Sequence, residues 1–600
     1  MENLPSVHIP ESIPPCDVCC KGDRITVSLQ EVTEGSQSGC SVCHLHYLAI
    51  QRAIRTSTYE GSHVKRTFKF FGPVIQIIEI WGSGRKTRVD DSNYVFLYTT
   101  ALSKSKGSTT YLGVGKNVGH RASSHLSSIA GWLRDCHENH PNCLPVTDVA
   151  LPTRVLDIGS GYADPVRLIE VAAGQRGRYT ALSHCWGGGI GIRTTTENYA
   201  AQKKGLRYCD LPLSFQHATT VTRGLGLRYL WIDALCIIQD SKSDWEVESG
   251  NMAAIYQNAY IVIGADMSSD SDGGFLDVRS GGYNGDGRPI ATIDDEIIYA
   301  RSENRMNNEF QRNHPLGSDP LSTRAWTLQE QMLSSRMVHF ASKEMVWECK
   351  SVLCCECLQL DRQGVTPNSL LSFRALIDSS DSYSTRFRTW YSLVDQVTYR
   401  KLTEPQDLLP CLSGIAQRFQ NSGAGSYLAG LWNEDLPMGL LWSQSKDQKC
   451  SRAIPYRGPS WSWASIDGIE DPYGSRHKHD NLLEKVYAKI MEAKCVPAGK
   501  DHLGAVSGGL LKVSAPLVKL EKGLGVLRLY DCDDFEEENV FCLLIGKTTG
   551  GPYSRPVCGL LLRQQLVSTS TFERVGRFTL ESGSEVKLFQ GVDDTIVTII

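Results

Sequence analysis

The stretch LRYLWIDALCIIQD, Leu227–Asp240, decides how the rest of this chain is read. Most of it is one apolar run, where a half-exposed strand would alternate with polar residues. It therefore reads as a buried strand covered on both faces. Upstream, Asp210 and Pro212 start a helix, with proline near the first turn where its missing N–H costs little. Phe215, Ala218, Val221 and Leu225 recur at helical spacing, and Gly224 and Gly226 close the helix. Downstream, Asp244 is placed to cap a second helix whose apolar face is Trp245, Met252, Ile255, Tyr256 and Ala259. AYIVIGA (259–265) follows as another buried strand. A Gly-, Asp- and Ser-rich stretch then runs from Asp266 to Leu321, long for a loop inside a domain and typical of a functional insertion. STRAWTLQEQMLSSR (322–336) reads as a helix and MVHFAS (337–342) as a strand. Such alternation implies an α/β fold with a mostly parallel sheet and helices on both faces.

The flanks read differently. Residues 1–150 form a cysteine-rich N-terminal region, with a strand-like stretch Phe68–Trp81, a charged Ser/Gly-rich loop and a short amphipathic helix ending near Trp132. TRVLDI, PVRLIEV and YTALS (within 153–183) are short strands. Residues 346–450 are mainly helical. From 451 to 600, segments such as GLLKVSAPLVKL and VFCLLIGK are short strands between turns, an α+β or β-rich C-terminal extension. The expected domains are 1–150, 151–345, 346–450 and 451–600.

Composition narrows the function classes. The chain has 600 residues, 62 Lys and Arg against 66 Asp and Glu, and a formal net charge of −4. That balance is globular and argues against a dedicated nucleic-acid binder, which would show a basic excess. No stretch reads as a membrane span. The opening residues MENLPSVHIPESIPPC have no basic and apolar halves of a secretory signal. A cytoplasmic location is expected, where the 20 cysteines would be reduced thiols or metal ligands. Cys16-x-x-Cys19 and Cys40-x-x-Cys43 have zinc-ribbon-like spacing and could supply four thiolates to a structural zinc, with His44 and His46 as spare ligands. Small buried thiols are the alternative. Cys136-x3-His140-x2-Cys143 is a second cluster, one ligand short of a closed site.

Other motifs lead less far. VLDIGSG (155–161) looks like a methyltransferase turn, but Pro165 and VRLIEV make a β-hairpin the better reading, and a helix after Gly161 is what a methyltransferase would need. GGGIG (187–191) is not a dinucleotide fingerprint, although its glycines could line a ligand. No G-x-x-x-x-G-K-[ST] phosphate loop is present. His184 and Cys185 are sequence neighbours that do not simply form an activated pair, and Cys236 reads as an inert thiol in the buried strand.

YTALSHCWGGG (179–189), LRYLWIDALCIIQD with MAAIYQNAYIVIGA (252–265), and STRAWTLQEQMLSSRMVHF (322–340) together closely resemble the HET, or heterokaryon-incompatibility, domain of filamentous fungi. LPTRVLDIG (151–159), DLLPCLSGIAQRF (407–419), YLAGLW (427–432) and PSWSWASIDG (459–468) are similar to segments that accompany it. The resemblance implies a fungal allorecognition response, an innate-immunity-like programme ending in cell death. HET domains are remotely similar to TIR domains, which implies a TIR-like, flavodoxin-like core. YTALSHCWG takes the place of the TIR first strand and serine loop, LWID that of the second strand, and TRAWTLQEQM resembles the S-x-W-C-x-x-E-L helix start. Thr327 stands where that motif has cysteine and Gln331 where it has leucine.

The glutamate of that TIR motif is essential for cleaving NAD, and Glu330 matches it as the catalytic candidate. Ser183, Trp186 and Gly187 would sit at the C-terminal end of the first strand, where open α/β sheets bind ligands; Asp233 could contact ribose, Arg324 could meet phosphate, and Trp186 or Trp326 could stack on a ring, with an NAD-like nucleotide as substrate and no cofactor needed for catalysis. The competing assignments are structural: Thr327-x-x-Glu330 is also a capping box, Asp233 could pair within the fold, and Trp186, Trp231 and Trp326 could be core aromatics. A non-enzymatic signalling or adaptor module, acting by self-association or by recruiting a partner, is the alternative function. Activation would come from the C-terminal region or from a separate sensor protein.

Overall fold

In the computed structural model the described residues are 5–7, 16–19, 26–56, 64–71, 74–81, 88–99, 113–114, 122–141, 143, 147–159, 161, 164–188, 191–276, 288–293, 296–304, 319–342, 344–356, 383–444, 450–470, 472–473, 483–521, 527–532, 539–548, 557–565, 568–580 and 588–600. Most of the expected Ser/Gly-rich loop before Ala122, parts of the 266–321 stretch, and two positions of GGGIG lie outside them. The chain forms two compact units. One comprises Met1–Leu144, Gly274–Asp319 and Val338–Leu371; the other comprises Pro145–Gly273, Pro320–Met337 and Ser372–Ile600.

The second unit contains the motif segments up to Met337. Its sheet centres on β1 (Tyr179–Ser183), with β2 (Tyr229–Trp231) on one side and β3 (Ile261–Gly264) on the other. Both pairings are parallel, with Ala181 opposite Trp231 and Ser183 opposite Gly264. All five β1 residues and all four of β3 are buried, as strands with two covered faces require. The hairpin Arg154–Asp157/Arg167–Glu170 joins β2 antiparallel. The VLDIGSG turn thus returns into a strand from Arg167, not into the helix a methyltransferase needs.

Three local expectations need correction. The apolar run 227–240 is a strand only over Tyr229–Trp231; Asp233–Cys236 is a single helical turn. Only Asp233 interrupts the run Leu230–Ile238, and periodicity does not separate a buried turn from a buried strand in so short an apolar stretch. Asp233 and Cys236 therefore lie outside the strand. The helix after β1, α1 (Leu213–Gly224), begins at Pro212 and buries Phe215, Ala218 and Val221 as expected. In α2 (Lys242–Asn258) the cap is Ser241, whose hydroxyl accepts from the Asp244 amide. Asp244 instead binds Arg154 at 2.6 Å. Trp245, placed on the apolar face by sequence, is 36 % exposed. Then α3 (Trp326–Leu333) buries every residue from Thr327 onward.

Downstream in this unit come helices Tyr383–Thr398 and Pro410–Phe419. An eight-stranded sheet of residues 483–599 follows, and Val506–Lys519 pairs with both Val540–Thr548 and Asp594–Ile599. That double pairing closes five strands into a ring, so those five form a closed circuit.

In the first unit, Val64–Phe71 and Val74–Trp81 form a hairpin within a sheet that also takes Arg88–Thr99 and the hairpin Arg288–Ile293/Glu296–Asn304. The expected loop after Asp266 thus contributes two strands. Helix Ser41–Thr56 packs Leu45, Ala49 and Ile50 on Phe68, Ile75 and Val95. The helix expected to end near Trp132 instead runs from Ala122 to Asn139. No helix among the described residues is long and apolar enough to cross a membrane.

Candidate functional site

β1 lies between β2 and β3, so the two crossovers, through α1 and α2, place their strands on opposite sides of it. The C-terminal end of β1 is therefore a topological switch point, where open α/β sheets bind ligands. Ser183 is its last residue. The backbone there is pinned by α2 and β3: Tyr179 Oη donates to Ile255 O at 2.6 Å, Tyr256 Oη donates to Leu182 O at 3.2 Å, and the Ala265 amide donates to Ser183 O at 2.9 Å.

The chain then leaves the sheet as His184–Gly188. Trp186 Nε1 donates to Asp233 Oδ2 at 2.7 Å, and Asp233 Oδ1 accepts from the Ala234 amide at 2.7 Å. His184 Nδ1 lies 3.7 Å from the same carboxylate, with its ring edge-on to Phe215 at 5.0 Å. Asp233 thus fastens the loop after β1 to the turn after β2. Gly187 has φ +77°, and a Cβ there would meet Asp270 Cβ at 2.5 Å, so glycine is required.

Glu330 is the fifth residue of α3, not a cap. The helix N-cap is Ala325, without a side-chain cap bond. Thr327 Oγ1 donates to Leu321 O and Arg324 O, both at 2.8 Å, which removes the capping-box assignment. Glu330 is 5 % exposed, and burial raises its carboxyl to about 8, helped by the nearby Asp233 charge. The hydroxyls of Ser183 and Tyr256 and the Arg324 guanidinium act in the opposite direction. Ser183 and Glu330 feel each other without being aligned into a bond: Ser183 Oγ and Glu330 Oε2 are buried with no hydrogen-bond partner. Two unpaired polar atoms at one buried point carry a cost that a bound polar group would relieve.

Ser183, Asp233, Arg324 and Glu330 thus act on one another, with Trp186 and Gly187 in the adjoining loop. Trp326 goes elsewhere: its indole donates to Asp407 Oδ2 at 3.0 Å. Arg400 was not visible in the motifs. It lies 73 residues after Thr327 and donates from Nη1 to Thr327 Oγ1 at 3.0 Å. Burial depresses it to about 10, and the Glu330 charge is among the influences that raise it. Tyr256 was assigned only to a helix face. Neither cysteine near the site is an activated nucleophile: burial pushes Cys185 up to about 11 and Cys236 up to about 12.

The four N-terminal thiols meet in the first unit. Cys16 Sγ and Cys43 Sγ are 3.5 Å apart, Cys19 Sγ and Cys40 Sγ 3.7 Å, and all four lie within 4.8 Å of one another. A tetrahedral zinc with bonds of about 2.3 Å has sulfur–sulfur edges near ~3.8 Å. The group can therefore hold a metal such as zinc, as a closed structural site. The spare histidines stay outside it. His44 Nδ1 pairs with Ser36 Oγ at 2.9 Å, and full burial pushes His46 down to about 3.

Residues 179–330 match the model of the family described as Heterokaryon incompatibility protein (HET). The match opens on the first residue of β1 and closes on Glu330. No curated protein and no solved structure matches the chain.

Proposed function

We propose that this protein, whose residues 179–330 match the heterokaryon-incompatibility family model, is a fungal allorecognition effector that kills the cell in which it is activated, by TIR-like hydrolysis of NAD. The carrying observation is Glu330, a buried carboxyl beside Ser183 at the switch point of the three parallel strands. The strand order β2-β1-β3 also begins as a flavodoxin-like sheet does.

In this reaction the nicotinamide–ribose C–N bond breaks and its electron pair leaves with nicotinamide. The ribose carbon becomes oxocarbenium-like. Water adds to that carbon and loses a proton, giving ADP-ribose. Nicotinamide is a good leaving group, so one carboxylate suffices to stabilise the developing cation or to hold the ribose hydroxyls. Empty, Glu330 keeps its proton at neutral pH. A cationic nicotinamide ring beside it favours the ionised form, so substrate binding itself charges the catalyst. Trp186, oriented by Asp233, offers a ring face for stacking, and Arg324 a charge for phosphate.

One observation favours the non-enzymatic alternative. Glu330 is only 5 % exposed, so substrate entry requires a rearrangement around it. A HET domain that signals by self-association or through a separate sensor protein needs no such opening. Expressing the full chain and its Glu330→Ala variant in yeast, with cellular NAD measured alongside growth, separates the two. NAD loss and arrest with wild type, both absent with the variant, support the enzyme. Equal arrest with undepleted NAD supports the signalling module.

A further inference from the structure

The first unit carries a second cluster that the sequence left incomplete, and the fold completes it. Cys136 lies in the last turn of the helix Ala122–Asn139, and His140 follows four residues later on the same face. Cys143 comes next, its amide donating to His140 O at 2.9 Å in a tight turn. The fourth group arrives from far along the chain. Cys349 is the last residue of strand Met345–Cys349, where the chain turns to pair back as Leu353–Cys355. Cys136, Cys143 and Cys349 are all buried. One ligand atom from each of the four residues lies within 4.8 Å of the others.

The imidazole is aimed. His140 Nδ1 lies 3.5 Å from Cys349 Sγ. For a tetrahedral ion with zinc–sulfur and zinc–nitrogen bonds of about 2.3 and 2.0 Å, that edge is near ~3.5 Å. His140 Nε2 points away, 3.4 Å from Asp135 Oδ2. A carboxylate on the outer nitrogen holds the proton there and leaves the Nδ1 lone pair facing the thiols, the arrangement that orients metal-bound histidines.

We infer that Cys136, His140, Cys143 and Cys349 form a second structural zinc site, of three thiolates and one imidazole. The donor set is soft and tetrahedral, which selects zinc over harder divalent ions. All four positions are filled by protein, so the ion does not bind substrate. It fastens the end of one helix to a hairpin 209 residues away in sequence, the same helix and strand that make the Trp132–Trp347 ring contact at 6.1 Å.

The test is metal content and coordination of the purified full chain. Wild type should carry about two zinc ions, and Cys40→Ser, which disables the N-terminal thiol group, about one. Zinc-edge X-ray absorption of Cys40→Ser should read three sulfurs and one nitrogen. His140→Cys keeps a closed donor set, so it should retain the metal while the nitrogen is replaced by sulfur. The same substitution in the otherwise wild-type chain should remove nitrogen from the averaged shell, which covers the case in which Cys40→Ser does not fold. Cys349→Ser should lose one ion. A folded Cys40→Ser protein without metal, or a zinc shell that His140→Cys leaves unchanged, would overturn the inference.

Discussion

Glu330 gains its character from where α3 puts it. A carboxyl that is 5 % exposed keeps its proton up to about pH 8, against about 4.5 for an ordinary glutamate. Between these values the native state binds more protons than the unfolded chain, so stability falls as pH rises through that window. Glu330→Gln removes this contribution to the slope. Its melting temperature should match wild type near pH 4.5, exceed it increasingly toward pH 8, and keep a constant lead above; the full gap is on the order of a few kcal/mol. Melting curves at a series of pH values measure this, and a gap independent of pH would contradict it. Asp233→Ala leaves the Trp186 indole without its acceptor. A loss of about 1–3 kcal/mol is expected, together with a raised KM for the nucleotide as the loop loosens. An unchanged KM would remove Trp186 from substrate binding.

At the scale of elements, α3 is held by helix Pro410–Phe419. The Gly414 amide donates to Gln329 Oε1 at 2.7 Å, and a Cβ on Gly414 would meet Ala253 of α2 at 2.5 Å. Gly414→Ala should therefore push the helix away from α2 and α3, at a cost of about 1–3 kcal/mol, read as a lower Tm. An unaltered Tm would mean that the helices adapt freely. This contact also shows what the sequence could reveal. The buried strands β1 and β3 and the helix α1 were legible because apolar runs, proline and glycine mark them locally. The turn Asp233–Cys236 was not, since Asp233 is its only polar mark and no glycine or proline separates it from the strand. Ser241 displaced Asp244 as cap because the Asp244 carboxylate is committed to Arg154. Ser183 and Glu330 were found through ordered motifs, whereas Arg400 and Cys349 join their sites only through long-range packing, which leaves no local pattern.

For the molecule as a whole, the family match covers less than the folded unit needs. Thr327 binds Arg400, Trp326 binds Asp407, and Gln329 binds Gly414, and all three partners lie beyond residue 330. An excised 179–330 fragment should lack α3's partners and expose its buried face. It should melt without a cooperative transition by circular dichroism, where the full chain unfolds cooperatively. A cooperative fragment would show that the flanking helices are dispensable.

The most direct measurement is nicotinamide release from NAD by the purified full chain, followed by chromatography beside Glu330→Gln. Wild type should release nicotinamide and ADP-ribose in equal amounts, with kcat/KM rising as pH approaches about 8 and Glu330 ionises in the free protein. Glu330→Gln should be slower by about 100-fold or more. Equal release by wild type and a folded Glu330→Gln protein would contradict a catalytic Glu330.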